Sequence, residues 1–183
     1  ALLAGDGLLN EAMNLMFRHC IGKGQNALRA CSIISESAGA EGMVGGQTVD
    51  ILSENTRISR DQLYYMHSKK TGALIKGSII SAAVHASAAE QEIKLDYYGR
   101  KLGLAFQIKD DILDVTGDTA VLGKTANSDL NNNKTTFITA YGLDKCREMC
   151  SLITGECMDV LKGLKRDTSH LENLTLFLLN REK

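Results

Sequence analysis

The chain contains no proline and almost no stretch in which Val, Ile or Thr alternates with polar residues. Proline breaks helices, and alternation of apolar and polar residues is typical of half-buried strands. Their absence predicts that the 183 residues fold as helices throughout. A chain of this length, with no repeat and no linker between domains, is expected to form a single all-α domain over residues 1–183.

Long apolar runs and an excess of charge of one sign are also lacking. No apolar run approaches the roughly 18 residues of a membrane span, and the chain does not begin with the pattern of a secretory signal. The formal net charge of −1 provides no global field to hold nucleic acid or an anionic membrane. We therefore expect neither of these partners, and any affinity for phosphate has to come from a local site.

The five cysteines are an odd number, which does not suit a disulfide framework. Cys146, Cys150 and Cys157 recur at intervals of four and seven residues. This spacing predicts a buried stripe on one helix rather than a metal site. Reduced thiols without a secretory signal favour a cytoplasmic location.

Apolar periodicity divides the chain into six predicted helices. They cover residues 2–17, 26–44, 59–89, 93–117, 143–164 and 170–180. The second is expected to end at Gly45-Gly46, and Ser59 suits the N-cap of the third. The stretch from 117 to 134 is rich in glycine and asparagine and is the longest predicted loop, a feature that in compact domains is usually functional.

Three carboxylates interrupt the apolar helix 93–117, in the sequence QIKDDILDVTGD (107–118). At about 100° per residue, Gln107, Asp110, Asp111 and Asp114 fall on one side of this helix. Like charges so placed repel one another, and a divalent cation would remove the repulsion. Carboxylate oxygens suit Mg²⁺, which completes its octahedron with water and substrate phosphates. The acidic end of a surface helix explains a bare D-D-x-x-D pattern equally well.

Two other cation or phosphate motifs do not fit. A calcium loop of the D-x-[DN]-x-[DN]-G type fails at its third position from each of the three aspartates. The stretch from Gly117 to Thr125 is close to a P-loop, but five residues rather than four separate its glycines and it follows a helix.

Lysines supply positive charge near the aspartates. Lys124 and Lys134 flank the predicted loop, and Lys69-Lys70-Thr71-Gly72 interrupts the third helix. Each lysine alone is more typical of a solvated surface, but a lysine is also a compact charge for a phosphate oxygen. Carboxylates for a metal and separated lysines on an apolar helical scaffold indicate a site for a magnesium-bound diphosphate with an apolar tail.

Combined, these motifs resemble the trans-isoprenyl diphosphate synthases, especially the bacterial farnesyl diphosphate synthase (geranyltranstransferase) group. The DDxxD pattern alone is weak evidence, but the segments follow the family order over nearly the whole chain. They are LLAGDGLL (2–9), GMVGGQTVDI (42–51), HSKKTGALI (67–75), YGRKLGLAFQIKDDILDVTGD (98–118), LGKTANSDLNNNKTTF (122–137) and LLNREK (178–183).

The resemblance implies a role for each matching residue. Asp110, Asp111 and Asp114 match the family's second aspartate-rich motif, which holds Mg²⁺ against the allylic diphosphate. Lys70, Lys124 and Lys134 match lysines that bind this diphosphate. Thr71 and Gln107 match groups that line the path of the allylic cation, and Gln47, Asp50 and Asp129 match supporting residues.

The resemblance also implies an isoprenoid synthase helical bundle and a reaction. Such enzymes use Mg²⁺ to condense an allylic diphosphate, dimethylallyl or geranyl, with isopentenyl diphosphate. The expected product is farnesyl diphosphate, and the sequence does not distinguish it from geranylgeranyl diphosphate. The family implies a homodimer that pairs through the helices equivalent to 2–17 and 26–44.

One departure limits this interpretation. The family's first aspartate-rich motif lies upstream of the LLAGD segment, whereas this chain begins at Ala1. We therefore expect the C-terminal portion of a synthase, without the N-terminal helices and inactive alone. A non-catalytic partner in a two-component prenyl synthase is the alternative, although intact aspartate, KT and FQ motifs argue against it. A class I terpene cyclase does not account for the order of the lysines.

Overall fold

The computed structural model describes residues 1–117 and 134–181, and in these ranges all regular structure is helical. The helices are α1 (Leu2–Cys20), α2 (Gln25–Ala38), α3 (Met43–Leu52), α4 (Arg60–Lys70), α5 (Gly72–His85), α6 (Glu92–Thr116), α7 (Phe137–Tyr141), α8 (Leu143–Lys162) and α9 (Ser169–Asn180), with a short 3₁₀ turn at Ala89–Gln91. The predicted all-α class is confirmed. No helix of the described ranges is long and apolar enough to cross a membrane.

The predicted helix 26–44 is wrong at its C-terminal end. The helix stops at Ala38, and a separate helix, α3, begins at Met43 and contains both Gly45 and Gly46. A Cβ on Gly46 would lie 2.1 Å from the backbone nitrogen of Lys70. Glycine at this position therefore permits α3 to pack directly on the end of α4, and it does not terminate a helix.

The predicted helix 59–89 is two helices that meet at Thr71. Ser59 caps α4 as expected, because its Oγ accepts a hydrogen bond from the backbone N–H of Gln62 while the Gln62 side chain accepts one from the N–H of Ser59. The second helix, α5, ends at His85 rather than at 89. The break places Lys70 at the end of one helix and Thr71 between the two.

The short helix α7 was not expected from the sequence. Thr136 caps it by accepting from the N–H of Thr139, and the Thr139 side chain accepts from the N–H of Thr136. The T-x-x-T spacing of TFIT (136–139) is the signal for this cap. Most of the loop predicted over 117–134 lies outside the described residues, because these stop at Gly117 and resume at Lys134.

Helix α6 is central to the core and packs against α5 and α8. Its fully buried Tyr98 and Ile108 belong to one apolar cluster with the three α8 cysteines, Cys146, Cys150 and Cys157. This confirms the predicted cysteine stripe, whose thiols are all free. A fully buried aliphatic side chain such as Ile108 contributes on the order of 1.5–3 kcal/mol to folding.

Candidate active site

Two lysines meet one carboxylate where α3 packs on α4. Lys70 Nζ lies 2.6 Å from Asp50 Oδ2, and Lys134 Nζ lies 3.2 Å from Asp50 Oδ1. Asp50 is 6% exposed. Burial alone would raise its pKa, but the ion pairs with Lys70 and Lys134 hold the pKa of Asp50 below its usual value. The carboxylate therefore stays ionised and keeps two ammonium groups beside each other.

The surroundings of this cluster follow from the register of α3. Gln47 lies one turn before Asp50 on the same helix and is half-buried. Glu54, one turn after Asp50, approaches Lys134 at 3.8 Å with an exposed side chain. The close packing permitted by Gly46 thus brings the GGQxxD segment against the lysine that precedes Thr71.

A second run of polar contacts connects α5 to α6. Thr71 Oγ1 lies 3.2 Å from Gln107 Oε1 and donates to it, and Gln107 Nε2 donates to Asp111 Oδ1 at 2.9 Å. A Cβ on Gly103 would lie 2.9 Å from the Cα of Gly72, so a glycine pair permits α6 to cross close to the start of α5. This crossing places Gln107 opposite Thr71.

The aspartates of α6 have different surroundings. Asp111 is 4% exposed, and its Oδ2 accepts a hydrogen bond of 2.7 Å from the backbone N–H of Phe137 at the start of α7. Asp114 is 3% exposed. Both carboxylates therefore lie inside the fold rather than in bulk solvent. Asp111 also fixes the start of α7, a structural role that the motif alone does not indicate.

Asp110 is the most exposed of the three and pairs with Arg181, which follows α9. The Arg181 Nη2 donates to Asp110 Oδ1 and, at 3.1 Å, to the carbonyl oxygen of Phe106. The guanidinium lies 4.1 Å from the centre of the Phe106 ring. Arg181 belongs to LLNREK, one of the segments that match the family. Its contact with the aspartate motif was missed, because the sequence alone does not show which helix end lies beside α6.

His67 is a further site residue that the sequence did not identify. It lies one turn before Lys70 on α4, and its ring lies 5.4 Å from the Phe137 ring. Its Nδ1 is shielded from water and has no hydrogen-bond partner within the described part of the chain. Burial, reinforced by the charge of Lys70, lowers the pKa of His67 from 6.5 to about 4. The imidazole is therefore neutral near pH 7.

Within residues 1–117 and 134–181, no group of three or more His, Cys, Asp or Glu side chains is arranged to hold a metal ion. Magnesium does not require one, because it is commonly bound through one or two carboxylates and completed by water and substrate phosphates. The hard carboxylate oxygens of Asp110 and Asp114, one helical turn apart, fit that requirement. Lys124 and Asp129 lie outside the described residues.

A cavity of about 840 Å³ lies beside these groups, with walls from α2, α4, α5 and α6. Its lining includes the apolar side chains of Ile33, Ile80 and Leu104 together with His67 and Gly72. His67 and Gly72 flank Lys70 and Thr71 in the chain. The cavity thus begins next to Lys70 and Thr71 in the chain and extends along α6, where it also meets the charged side chains of Asp96, Arg100 and Lys101. Its apolar side chains suit the apolar part of a ligand.

The family model described as polyprenyl synthetase matches residues 1–174. The chain belongs to the polyprenyl synthetase family. The predicted resemblance to this family is therefore confirmed.

Among other members of the polyprenyl synthetase family, the chain is 35% identical to farnesyl diphosphate synthase of Micrococcus luteus over 184 residues, which span the whole chain and 63% of that enzyme. It is 39% identical to the chloroplastic geranylgeranyl pyrophosphate synthase of Catharanthus roseus, over 88% of the chain and 46% of the relative.

A solved structure of geranyltransferase from Helicobacter pylori, complexed with magnesium and isoprenyl diphosphate, matches with a TM-score of 0.82 and 32% identity. The match covers 97% of this chain and 58% of that one. The chain therefore spans less than two thirds of the length of these bacterial relatives.

Proposed function

We propose that the protein containing this chain elongates prenyl diphosphates. It would condense an allylic diphosphate, dimethylallyl or geranyl, with isopentenyl diphosphate in a magnesium-dependent reaction. Farnesyl diphosphate is the proposed product, and geranylgeranyl diphosphate is the alternative, because relatives with both names are similar to the chain. The observation that carries the proposal is the position of two lysines, a Thr–Gln–Asp run and a partly apolar cavity at one place in the fold.

The lysine cluster is suited to the diphosphate head. Lys70 and Lys134 are held together by Asp50 before any ligand arrives, so little reorganisation is needed when a diphosphate approaches. Charge builds on the diphosphate as the allylic C–O bond breaks. Positive groups fixed beside the leaving group lower the barrier because they act most strongly on this developing charge. Lys124 would add to this cluster, with Asp129 in support.

Magnesium would be held by Asp110, Asp111 and Asp114, and Asp111 would also fix the α6–α7 junction. When bound, the ion neutralises negative charge on the diphosphate and helps it to leave. The pairing of Arg181 with Asp110 would have to loosen when the ion binds, because both compete for the same carboxylate oxygen. Carboxylate oxygens are ligands that Mg²⁺ prefers, which supports this assignment.

The Thr71 and Gln107 oxygens would face the carbon end of the broken bond. A hydroxyl and an amide oxygen present partial negative charge without a full charge that could capture the allylic cation. Gln107 is fixed by its donation to Asp111, so the Oε1 atom keeps its direction. The cation would then alkylate the double bond of isopentenyl diphosphate, and loss of a proton would complete the reaction.

We also propose a homodimer that pairs through α1 and α2. Helix α1 has no buried residue, and its exposed apolar side chains include Leu8, at 75% exposure, and Phe17, at 64%. Apolar surface of this extent commonly marks an interface. Light scattering of the intact protein should give the dimer mass, and Leu8→Asp should produce monomers. The matched change Leu152→Asp, at an exposed leucine of α8, should leave the dimer intact.

The activity is tested by incubating the intact protein with isopentenyl diphosphate and either dimethylallyl or geranyl diphosphate. Product chain length is read by mass spectrometry, with magnesium and with a chelator. A C15 diphosphate formed only with magnesium supports the proposal. Failure of both allylic substrates with magnesium present would contradict it and would favour the non-catalytic partner subunit.

A further inference from the structure

The hairpin between α1 and α2 brings together two cysteines that the proposed reaction does not use. Cys20 is the last residue of α1, and Cys31 lies in the second turn of α2. Their Sγ atoms are 3.1 Å apart. The other three cysteines are buried in the α8 stripe, whereas these two are half-buried.

The turn between the helices fixes this approach. Gly22 and Gly24 have φ values of +73° and +84°, a region that favours glycine, and they reverse the chain within four residues. Cys31 Sγ also lies 3.6 Å from the carbonyl oxygen of Met16, one turn before Cys20. Both thiols are thus oriented across the seam between α1 and α2.

We propose that Cys20 and Cys31 form a reversible dithiol–disulfide pair that ties α1 to α2. The sulfur–sulfur bond of a disulfide is about 2.05 Å long, so each sulfur would move by roughly 0.5 Å. Disulfides form by thiol exchange with a small-molecule disulfide such as oxidised glutathione. The closed loop of about 12 residues lowers the entropy of the unfolded chain, with the most direct effect on α1, which has no residue buried within this chain.

The exchange runs in two steps. The Cys20 thiolate attacks one sulfur of the small-molecule disulfide, forms a mixed disulfide and releases one thiol. Cys31 then loses its proton and attacks the Cys20 sulfur, which forms the protein disulfide and releases the second thiol. Overall, two protein S–H bonds are replaced by one S–S bond, and the reagent is reduced to two thiols.

The surroundings of Cys31 indicate which of the two cysteines reacts first. Burial and the neighbouring Cys20 raise the pKa of the Cys31 thiol to about 11, so Cys31 is protonated near pH 7. It is therefore suited to the second step, in which the electrophilic sulfur is already adjacent, rather than to the first encounter with the reagent.

The test uses the intact, reduced protein in glutathione buffers of graded redox poise, with remaining thiols blocked before digestion. Trypsin cleaves after Arg18, Lys23, Arg29 and Arg57, so Cys20 and Cys31 fall in the separate peptides 19–23 and 30–57. We expect these two peptides to be joined, with the loss of two hydrogen atoms, and to separate on reduction. The oxidised protein should have a Tm higher by about 5 °C than the reduced protein.

Cys20→Ser and Cys31→Ser are the controls and should show neither the joined peptides nor the oxidation-dependent rise in Tm. Diamide, a strong thiol oxidant, distinguishes two thiols that cannot meet from a disulfide that is unstable at the redox poise of the glutathione buffers. Absence of the 19–23 to 30–57 link even with diamide would show that the two thiols do not meet. A link with diamide alone would overturn the reversible pair, as would glutathione adducts that persist on single cysteines or disulfides between two chains.

Discussion

The two faces of helix α6 have opposite tasks although they share one backbone. On one face, Tyr98 and Ile108 are fully buried against α8 and α9 in an apolar cluster. On the other face, Leu104 lines the cavity, while Gln107 and Asp111 form hydrogen bonds to Thr71 and to the start of α7. Gln107 and Ile108 are adjacent in the chain and still belong to different environments.

Stability and the proposed chemistry therefore depend on different faces of α6. The core face stabilises the fold by removing apolar surface from water, which depends on volume and shape. The site face consists of polar groups that satisfy one another, so that replacing one changes charge and direction more than packing. Substitutions on the core face should therefore reduce stability more than turnover, and substitutions on the site face should reduce turnover more than stability.

The largest effect on stability is expected for Ile108→Ala. The side chain is 0% exposed, and its truncation removes apolar contacts and leaves a cavity. The free energy of unfolding should fall by about 2–5 kcal/mol, as measured by denaturant titration. The matched change Gln107→Ala, one residue away, should cost only about 1 kcal/mol in stability while it reduces kcat. Equal losses of stability would show that the two faces are not distinct.

Asp110→Asn should have the largest effect on turnover. The amide keeps an oxygen for Arg181 but removes the negative charge proposed to bind magnesium. We expect kcat of the intact enzyme to fall by about 10²-fold, equivalent to about 3 kcal/mol, with a much smaller rise in KM for the allylic diphosphate. The reason is that the ion acts mainly on charge that develops in the transition state.

The control for Asp110 is Asp144→Asn, at an aspartate whose side chain is 99% exposed on α8. It should leave both kcat and KM unchanged. If Asp110→Asn raised KM as strongly as it lowered kcat, the carboxylate would act in uniform binding of the substrate rather than in bond cleavage.

The sequence predicted the buried core and one helix cap better than the contacts of the candidate site. The cysteine stripe of α8 and the N-cap at Ser59 were identified because apolar spacing and capping are local properties. Gly45-Gly46 was misassigned as a helix end, because a glycine that permits close packing looks the same in sequence as one that terminates a helix. Motifs indicated Lys70 and Gln107, but Arg181 and His67 depend on contacts between distant segments, which no local pattern reports.

His67 should make the free energy of unfolding depend on pH. Its pKa is lowered from 6.5 to about 4 in the folded chain, so between these values the unfolded chain binds the proton and the folded chain does not. The contribution of the neutral imidazole is complete above pH 6.5 and is lost as the pH falls towards 4. Over this range the free energy of unfolding should decrease by roughly 3 kcal/mol.

Denaturant titrations between pH 7 and pH 4 measure this slope. His67→Gln removes the titration at this position and should flatten the curve, whereas His170→Gln, at an exposed histidine of α9, should not. Asp50 and Asp96 have pKa values below the ordinary aspartate range, so their contributions are lost only at still lower pH. An unchanged slope in His67→Gln would place the acid sensitivity elsewhere in the chain.

The smallest effect is expected at the rim of the cavity, where Arg100 pairs with Asp96 one turn earlier on α6. The Arg100 side chain is 65% exposed, and Asp96 keeps a second partner in Lys76 at 3.5 Å. Exposed pairs of this spacing contribute only about 0.3–0.5 kcal/mol, because water screens them and two long side chains must be ordered. Arg100→Gln should therefore lower the free energy of unfolding by no more than this amount.

The difference between Arg100→Gln and the unmodified protein should disappear at about 1 M salt, where the screening length is about 3 Å. A loss above 1 kcal/mol that persists in high salt would mean that the stem of Arg100 packs as part of the cavity wall, and the site face would then contribute to stability as the core face does.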